Sequence, residues 1–234
     1  GRAVVCVQRT HTRYTVTNVT SHPTQLRRDR ILTAALRIAD ERGLGALSIR
    51  ALAADLGAPP MSLYRHVADK DAILDGMVAL MLGELVQEGP PDDWAGGLRA
   101  WALGFREVAR RHPRAFPLFA GRPVTSSLAG REMAEAGLAN LRAAGFDPPT
   151  AARALRTVVR YVIGFSLGES AGTGAGADDD RAESDLRAAG LTGLADLVHD
   201  TSTADVETLF VFGLDVIVDG LAVRLSGGGC SVAP

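Results

Sequence analysis

The side chains best suited to specific chemistry lie in one short segment, Met61 to Val67. Its polar members are Ser62, Tyr64, Arg65 and His66. Hydroxyl and imidazole groups can bond phosphate oxygens, and a guanidinium can bind the edge of a guanine through two parallel hydrogen bonds. The segment therefore offers the groups that recognition of nucleic acid needs.

Neighbouring elements must position this segment, because it has only Leu63 and Val67 to bury. Just before it, apolar residues recur at helical spacing from Ile49 to Leu56, and Gly57 follows as a residue that ends helices by adopting positive φ without strain. Pro60 suits the first turn of the next helix, where a missing N–H costs little. A helix, a glycine-containing turn and a polar second helix form the helix-turn-helix arrangement, which places side chains in the DNA major groove.

Helices with clear ends flank this pair. The segment 25–42 has a broad apolar face, and Ser48 is suited to cap the helix that follows it. Asp69 is suited to cap another predicted helix, which has Ile73, Met77 and Met81 at helical spacing. It ends at Gly89-Pro90-Pro91, the clearest helix-breaking run in the chain and the predicted domain boundary.

The remainder of the chain is also predicted to be helical. Apolar residues recur at helical spacing in five further segments: 94–112, 126–144, 148–169, 184–199 and 205–225. Between the third and fourth, residues 170–184 are rich in glycine and aspartate and are predicted to form a loop. The predicted fold class is all-α. The predicted units are a flexible N-terminal arm at 1–24, a helix-turn-helix domain at 25–70, a connecting helix at 71–89, a helical domain at 90–226 and a flexible tail at 227–234.

Composition and charge narrow the classes of function. The chain has 234 residues, of which 47% are apolar and 22% charged, and no run of apolar residues is long enough to span a membrane. Residues 1–70 carry 11 Lys and Arg against 5 Asp and Glu, whereas residues 71–234 carry 14 against 22. A basic first part favours a phosphate-rich partner. Cys6 and Cys230 supply neither a disulfide framework nor metal-ligand spacing, so we expect a reducing cytoplasm, no metal and no cofactor.

These features together resemble the TetR family of transcriptional regulators. In the predicted helix-turn-helix domain, here called the head, the resemblance is carried by RILTAALRIADERG, LSIRALAADLG and PPMSLYRHVADKDAILD. In the predicted domain at 90–226, here called the body, the segments WAGGLRAWALGFREVARRHPRAFPLFAGRP and LFVFGLDVIVDGL are similar to the Tet-repressor-like subgroup. The resemblance implies an N-terminal DNA-binding domain and a C-terminal domain for effector binding and dimerisation. It also implies a ligand-responsive regulator that binds a palindromic operator as a homodimer. Repression is the usual activity in this family, so a repressor is expected.

The resemblance assigns DNA contacts to nine residues: Ser48, Arg50, Pro60, Met61, Ser62, Tyr64, Arg65, His66 and Lys70. Among them, Lys70 is expected to add its ammonium to the positive end of the helix that it begins, facing a phosphate. The alternatives are that Tyr64 and His66 make small core contacts and that Lys70 is only solvated.

A second copy is implied because one short helix contacts too few base pairs, and twofold symmetry doubles the reading over two half-sites. The interface is expected along 153–169 and 206–225, at Arg153, Arg160, Gly164, Gly168, Phe210, Gly213, Ile217 and Leu221. The glycines would let the helices approach closely. The alternative is that they relieve crowding inside one protomer.

An effector pocket is expected inside each body, among large residues on inward faces: Met81, Trp101, Phe105, Phe116, Leu118, Phe119, Leu138, Tyr161 and Phe165. The alternative for each is a filled core. The family's magnesium–tetracycline site uses a His and a Thr just before an Arg-Pro pair, where this chain has Leu118 and Gly121, and Gly168 stands where an acidic residue is expected. The sequence therefore predicts a small, largely apolar effector and no metal chelate.

The alternative from another class is a Ser-dependent hydrolase. Residues 164–168 match the G-x-S-x-G nucleophile elbow, 157–163 could form the preceding strand, and Asp196 and His199 follow Ser166 in the order of a triad. Such an enzyme needs several further strands and an upstream oxyanion loop, which the sequence does not offer. We therefore predict no enzymatic activity and no catalytic residues.

Overall fold

The computed structural model describes residues 4–10, 13–19, 27–85, 93–171, 179–203 and 205–226, which form eleven α-helices, two short 3-10 turns and one β-hairpin. From residue 27 onward the described chain is helical, which confirms the predicted all-α class. The predicted tail at 227–234 lies outside the described residues.

The hairpin lies in the segment predicted to be an arm. Strands β1 (Val4–Thr10) and β2 (Arg13–Val19) pair antiparallel, with Val4 opposite Val19 and Thr10 opposite Arg13. Valine and threonine are frequent in both strands, and their β-branched side chains favour a pleated backbone. The arm at 1–24 thus contains regular structure that the sequence analysis did not predict.

The head consists of α1 (Arg28–Arg42), α2 (Ile49–Leu56), α3 (Pro60–Leu63) and the first turns of α4 (Lys70–Gly83). These helices bury one common core that includes Ile31, Ile38, Leu52, Leu63 and Ile73. The side chain of Ser48 accepts a hydrogen bond from the Ala51 N–H (3.1 Å), and that of Asp69 accepts one from Ala72 (2.7 Å), so both predicted caps are confirmed. Gly57 ends α2 with φ of 62°.

The second helix of the pair is shorter than predicted. The sequence indicated Met61–Val67, whereas α3 ends at Leu63 and continues as a turn through residues 64–66. The Leu63 carbonyl accepts hydrogen bonds from His66 (2.9 Å) and Val67 (3.0 Å), which closes the turn. Asp69 must be extended to cap α4, and its φ of −158° and ψ of −175° stop the helix from continuing.

Helix α4 ends at Gly83, earlier than predicted, and the breaker at 89–91 lies outside the described residues. The body helices are α5 (Trp94–Arg111), α6 (Leu118–Gly121), α7 (Leu128–Ala143), α8 (Pro148–Ser170), α9 (Asp179–Ala188), α10 (Thr192–Thr203) and α11 (Val206–Ser226). The sequence predicted one helix over 184–199. The structure has two there, separated at Gly190, whose φ of 77° turns the chain.

A buried arginine joins three helices of the body. Arg106 of α5 donates to Glu169 of α8 (Nε–Oε2, 2.8 Å) and to Glu207 of α11 (Nη1–Oε2, 2.8 Å), and its guanidinium lies 4.4 Å from the ring centre of Phe210. Burial acts to raise the pKa of Glu169, but hydrogen bonds from Arg106 and Arg110 outweigh it and hold that pKa below its ordinary value. The carboxylate therefore stays ionised inside the body.

Several polar contacts join the head and α4 to the body, among them those of His112 and Arg122. His112, which follows α5, contacts Asp40 of α1 through Nδ1 (2.8 Å) and Glu84 at the end of α4 through Nε2 (3.0 Å). Arg122, which follows α6, donates to Asp75 of α4 (2.6 Å) and also pairs with Asp71. Helix α4 is therefore bonded to the body near its first turns and at its C-terminal end.

Candidate DNA-recognition surface and effector cavity

The turn formed by α3 and the next three residues projects its polar side chains outward. Leu63 and Val67 are buried and fix the segment to the head, whereas Tyr64 is 47% exposed, and Arg65 and His66 are exposed too. The two anchors lie four residues apart, so both reach the core from the same side of the turn. Tyr64 and His66 are therefore not core residues, and the alternative that they make core contacts is wrong.

Cations gather around this turn. Arg50 on α2, Arg65 and Lys70 are exposed, and none has an ion-pair partner in the part of the chain that the structure describes. The nearest carboxylates are occupied, since Asp69 caps α4 and Asp71 pairs with an arginine of the body. The surface can therefore meet phosphate without first breaking internal ion pairs.

The remaining predicted contact residues belong to α3, or directly precede α2. Met61 and Pro60 are exposed, Ser62 is half-buried, and Ser48 is exposed while its hydroxyl oxygen caps α2. A serine that accepts from a backbone N–H keeps its own proton free to donate. The structure thus brings all nine predicted residues to the region of the two short helices.

A cavity of about 1510 Å³ lies in the body, between α5, α6, α7 and α8. Three of the predicted pocket residues line it: Trp101, Phe119 and Leu138. Further apolar walls come from Leu98, Met133, Leu155, Val159 and Ile163, and the indole N–H of Trp101 points to the Met133 sulfur (3.1 Å). Several lining residues on α7 and α8, such as Ala136 and Ala152, are exposed, so the cavity is open to solvent on that side.

The other six predicted pocket residues lie elsewhere. Met81, Phe105, Phe116 and Leu118 are buried core residues that do not line the cavity. Tyr161 and Phe165 face α11 instead, where the Tyr161 hydroxyl donates to the Phe210 carbonyl (2.8 Å). Large size and an inward face identify buried residues, but a cavity lies where neighbouring side chains leave space, and the sequence does not show this.

Several predicted interface residues are used inside the protomer. Phe210 is buried against Tyr161, with ring centres 5.4 Å apart, and a Cβ at Gly213 would overlap the Tyr161 hydroxyl. Arg160 and Gly164 line the cavity. For Gly213 the alternative of relieved crowding within one protomer is therefore the observed arrangement.

An exposed apolar face on α11 was missed by the sequence analysis. Phe212 is 69% exposed, and Val216 and Val223 are also largely exposed on that side of the helix. Ile217 and Leu221, which were predicted at the interface, are half-buried against the body instead, whereas Arg153 on α8 is exposed. The signal was available, because α11 is apolar on nearly every face, which is unusual for a helix with a solvated side.

The structure does not support the hydrolase alternative. The expected strand at 157–163 is part of α8, and Ser166 is only 1% exposed, with its Oγ unpaired within the described chain. Asp196 pairs with Arg187, and His199 contacts Glu183. A nucleophile elbow needs an exposed serine on a strand-to-helix turn, and here the serine lies inside a helix.

The described ranges contain neither a metal-binding cluster nor a membrane-spanning helix. No group of three or more His, Cys, Asp or Glu side chains there could hold a metal ion. Leu118 and Gly121 lie in α6 just before Arg122, with Leu118 buried in the core. In the part of the chain that the structure describes, no helix is long and apolar enough to cross a lipid bilayer.

Comparison with known proteins matches both halves of the chain. A family model described as "Bacterial regulatory proteins, tetR family" matches residues 31–77, and one described as "Tetracyclin repressor-like, C-terminal domain" matches residues 88–225. Tetracycline repressor protein class A from transposon 1721 of Escherichia coli is 34% identical over 208 residues, which is 86% of this chain and 93% of that protein.

Solved structures of members of the same family also superpose on this chain. The Streptomyces coelicolor TetR family protein ActR in complex with (S)-DNPA superposes with a TM-score of 0.73 at 30% identity, covering 88% of this chain and 100% of ActR. BioQ with its double-stranded DNA operator superposes with a TM-score of 0.62 at 25% identity, covering 85% of this chain and 99% of BioQ.

Proposed function

Because the chain belongs to the TetR family of bacterial regulatory proteins, we propose that it is a transcriptional repressor that binds a palindromic operator as a homodimer. A small, largely apolar effector releases it from DNA, and it acts in the cytoplasm. The observation that carries this proposal is the turn after Pro60, whose polar side chains project outward while Leu63 and Val67 anchor it. Similarity to BioQ, solved with its DNA operator, supports operator binding.

Recognition divides between phosphate and base contacts. Lys70 and the hydroxyls of Ser48 and Tyr64 suit phosphate oxygens, whereas Arg50 and Arg65 have the guanidinium fork that fits a guanine edge. One such head reaches only a few base pairs, so two copies must bind successive major grooves on one face of the duplex.

The second copy is proposed to cover the exposed face of α11. Phe212, Val216 and Val223 form an apolar strip along this helix, interrupted by the exposed Asp219. Exposed apolar patches on a folded protein mark interaction surfaces. At Gly220, on the same helix, nothing lies within 4 Å of the position that a Cβ would take, so a partner helix can approach closely there.

We propose that effector binding releases the protein from DNA by acting through α4. Arg122 lines the cavity and at the same time donates to Asp75 of α4 (2.6 Å). A ligand that moves Arg122 would therefore also move α4, which begins shortly after the turn that follows α3. A small shift of α4 changes the separation of the two heads and spoils simultaneous fit to both half-sites. Equal operator affinity with and without the bound effector would contradict this mechanism.

The DNA-binding test begins with selection of duplexes from a random library by the purified protein. We expect a palindromic consensus whose affinity falls steeply with salt, because phosphate contacts release counterions. Arg50→Ala and Tyr64→Ala are expected to weaken binding at least tenfold, about 1.4 kcal/mol or more each. Arg131→Ala, an exposed arginine on α7, is the matched control and should bind as wild type does. No selected sequence, or equal binding by all variants, would overturn the proposal.

The dimer test compares two exposed apolar residues. Phe212→Glu places a charge on the proposed interface and is expected to give a monomer by sedimentation, with loss of operator affinity. Leu128→Glu, at a residue that is 65% exposed on α7, should leave the dimer intact. A dimeric Phe212→Glu protein would contradict the proposed interface.

A further inference from the structure

We propose that the effector is an organic anion and that Arg156 and Arg160 bind its charged group. Both arginines belong to α8, one helical turn apart, and both line the cavity beside Val159 and Ile163. The inference rests on the proposed function only in taking this cavity to be the effector site.

The charges lining the cavity are unbalanced. Of the residues that line it, Arg122, Arg156 and Arg160 are basic, and Asp93 is the one acidic residue. Asp93 already caps α5 by accepting from the Gly96 N–H, and Arg122 is paired with the carboxylates of α4. In the described part of the chain, Arg156 and Arg160 have no acidic partner, so their charge is available to a ligand.

Three arginines of α5 differ from this pair. Arg99, Arg106 and Arg110 each pair with an aspartate or glutamate across helices. The pair on α8 is exposed beside apolar walls. A guanidinium is less strongly hydrated than an ammonium, so it gives up less hydration when it binds an anion. Residues four apart on a helix lie on the same face, so the two forks can converge on one carboxylate, sulfonate or phenolate.

The apolar walls indicate what carries that anion. Trp101, Phe119 and Leu155 line the same cavity as the two arginines, and about 1510 Å³ is ample for several fused rings. A ligand with an aromatic body and an anionic edge would bury its rings against these residues and leave its charge at the more exposed side, where Arg156 and Arg160 lie. A neutral ligand of the same shape would leave both arginines without a partner.

The test uses two fluorescent probes of nearly equal shape. 8-Anilinonaphthalene-1-sulfonate carries one negative charge, and N-phenyl-1-naphthylamine has the same rings without it. We expect wild type to bind the anionic probe more tightly, with an affinity that falls as salt rises. In the double variant R156Q/R160Q the anionic probe should weaken about 10- to 100-fold, and the neutral probe by less than about twofold, since bonds to charged groups are the ones removed.

Control variants test whether the probe binds in the cavity and whether the charge of the two arginines explains its affinity. The variant R156K/R160K keeps both charges and should retain much of the affinity for the anionic probe, and Arg131→Gln on α7 should change neither probe. Energy transfer from tryptophan to the bound probe should fall in Trp101→Phe, which lines the cavity, more than in Trp94→Phe, which does not.

Three results would overturn the inference. They are equal binding of the anionic probe by wild type and R156Q/R160Q, equal loss of both probes, and a change in the dimer dissociation constant without a change in probe binding. The last would show that a second copy uses the arginines. Operator binding is measured on the same proteins, so a wild type that binds no DNA refutes the proposed function separately from the probe result.

Discussion

Arg106→Met removes the buried cation that joins α5, α8 and α11. The Arg106 side chain is 2% exposed, and its guanidinium bonds Glu169 at 2.8 and 3.1 Å and Glu207 at 2.8 Å. Methionine keeps an unbranched chain that can pack against the rings of Phe165 and Phe210, so the substitution removes charge more than volume.

The cost follows from what remains. Removing one partner of a buried ion pair costs about 3–5 kcal/mol when the other charge is left alone. Here Arg110 also bonds Glu169 (3.0 Å) and Glu207 (3.1 Å), and Glu207 is half exposed, so neither carboxylate is stranded. We therefore expect the lower end of that range, about 3 kcal/mol.

The assay is urea unfolding at one fixed protein concentration, because association shifts the apparent stability. Arg110→Gln is the matched control, since Arg110 meets the same two carboxylates but its side chain is 42% exposed. An exposed pair contributes about 0–1 kcal/mol. A loss below about 1 kcal/mol in Arg106→Met, or an equal loss in both variants, would refute the assignment of Arg106 as the central cation.

Three further predictions concern polar side chains that are buried or half-buried. The pKa of Glu169 is lower in the folded protein than its ordinary value of 4.5. The ionised carboxylate therefore contributes its full stabilisation above pH 4.5, and this is lost as pH falls through the folded pKa. Glu169→Gln should flatten the acid limb of a curve of stability against pH. His112→Ala breaks the contacts to Asp40 and Glu84 and should lower the unfolding free energy by about 1–3 kcal/mol in urea. Ser166→Ala removes a buried hydroxyl without a partner in the described chain, so thermal unfolding should show equal or higher stability, by up to about 1 kcal/mol.

Each of these has a clear contrary outcome. An acid limb that is unchanged in Glu169→Gln would show that other carboxylates control it. His112→Ala with wild-type stability would show that the link between head and body is weak, and His199→Ala, at an exposed position on α10, serves as its control. A marked loss of stability in Ser166→Ala would mean that its hydroxyl makes a bond in solution.

Local signals in the sequence were sufficient for most of the helices. The caps at Ser48 and Asp69 and the positive φ of Gly57 depend on the residue itself and its immediate neighbours, and the structure has them where they were predicted. The length of α3 was missed because the chain continues past Leu63 as a turn in which Val67 is still buried, so the two anchors keep helical spacing. The break at Gly190 was missed because the surrounding residues keep helical spacing on both sides.

The sequence by itself determined the head: which short segment is polar, which two side chains anchor it, and that the chain resembles a known family. Only the tertiary structure decided the body, where Arg160 and Gly164 line the cavity, Tyr161 contacts α11, and Phe212 is left exposed. The physical reason is that helical periodicity gives the buried face of each helix but not the neighbour that covers it. Cavities and interfaces depend on how several such faces meet in space.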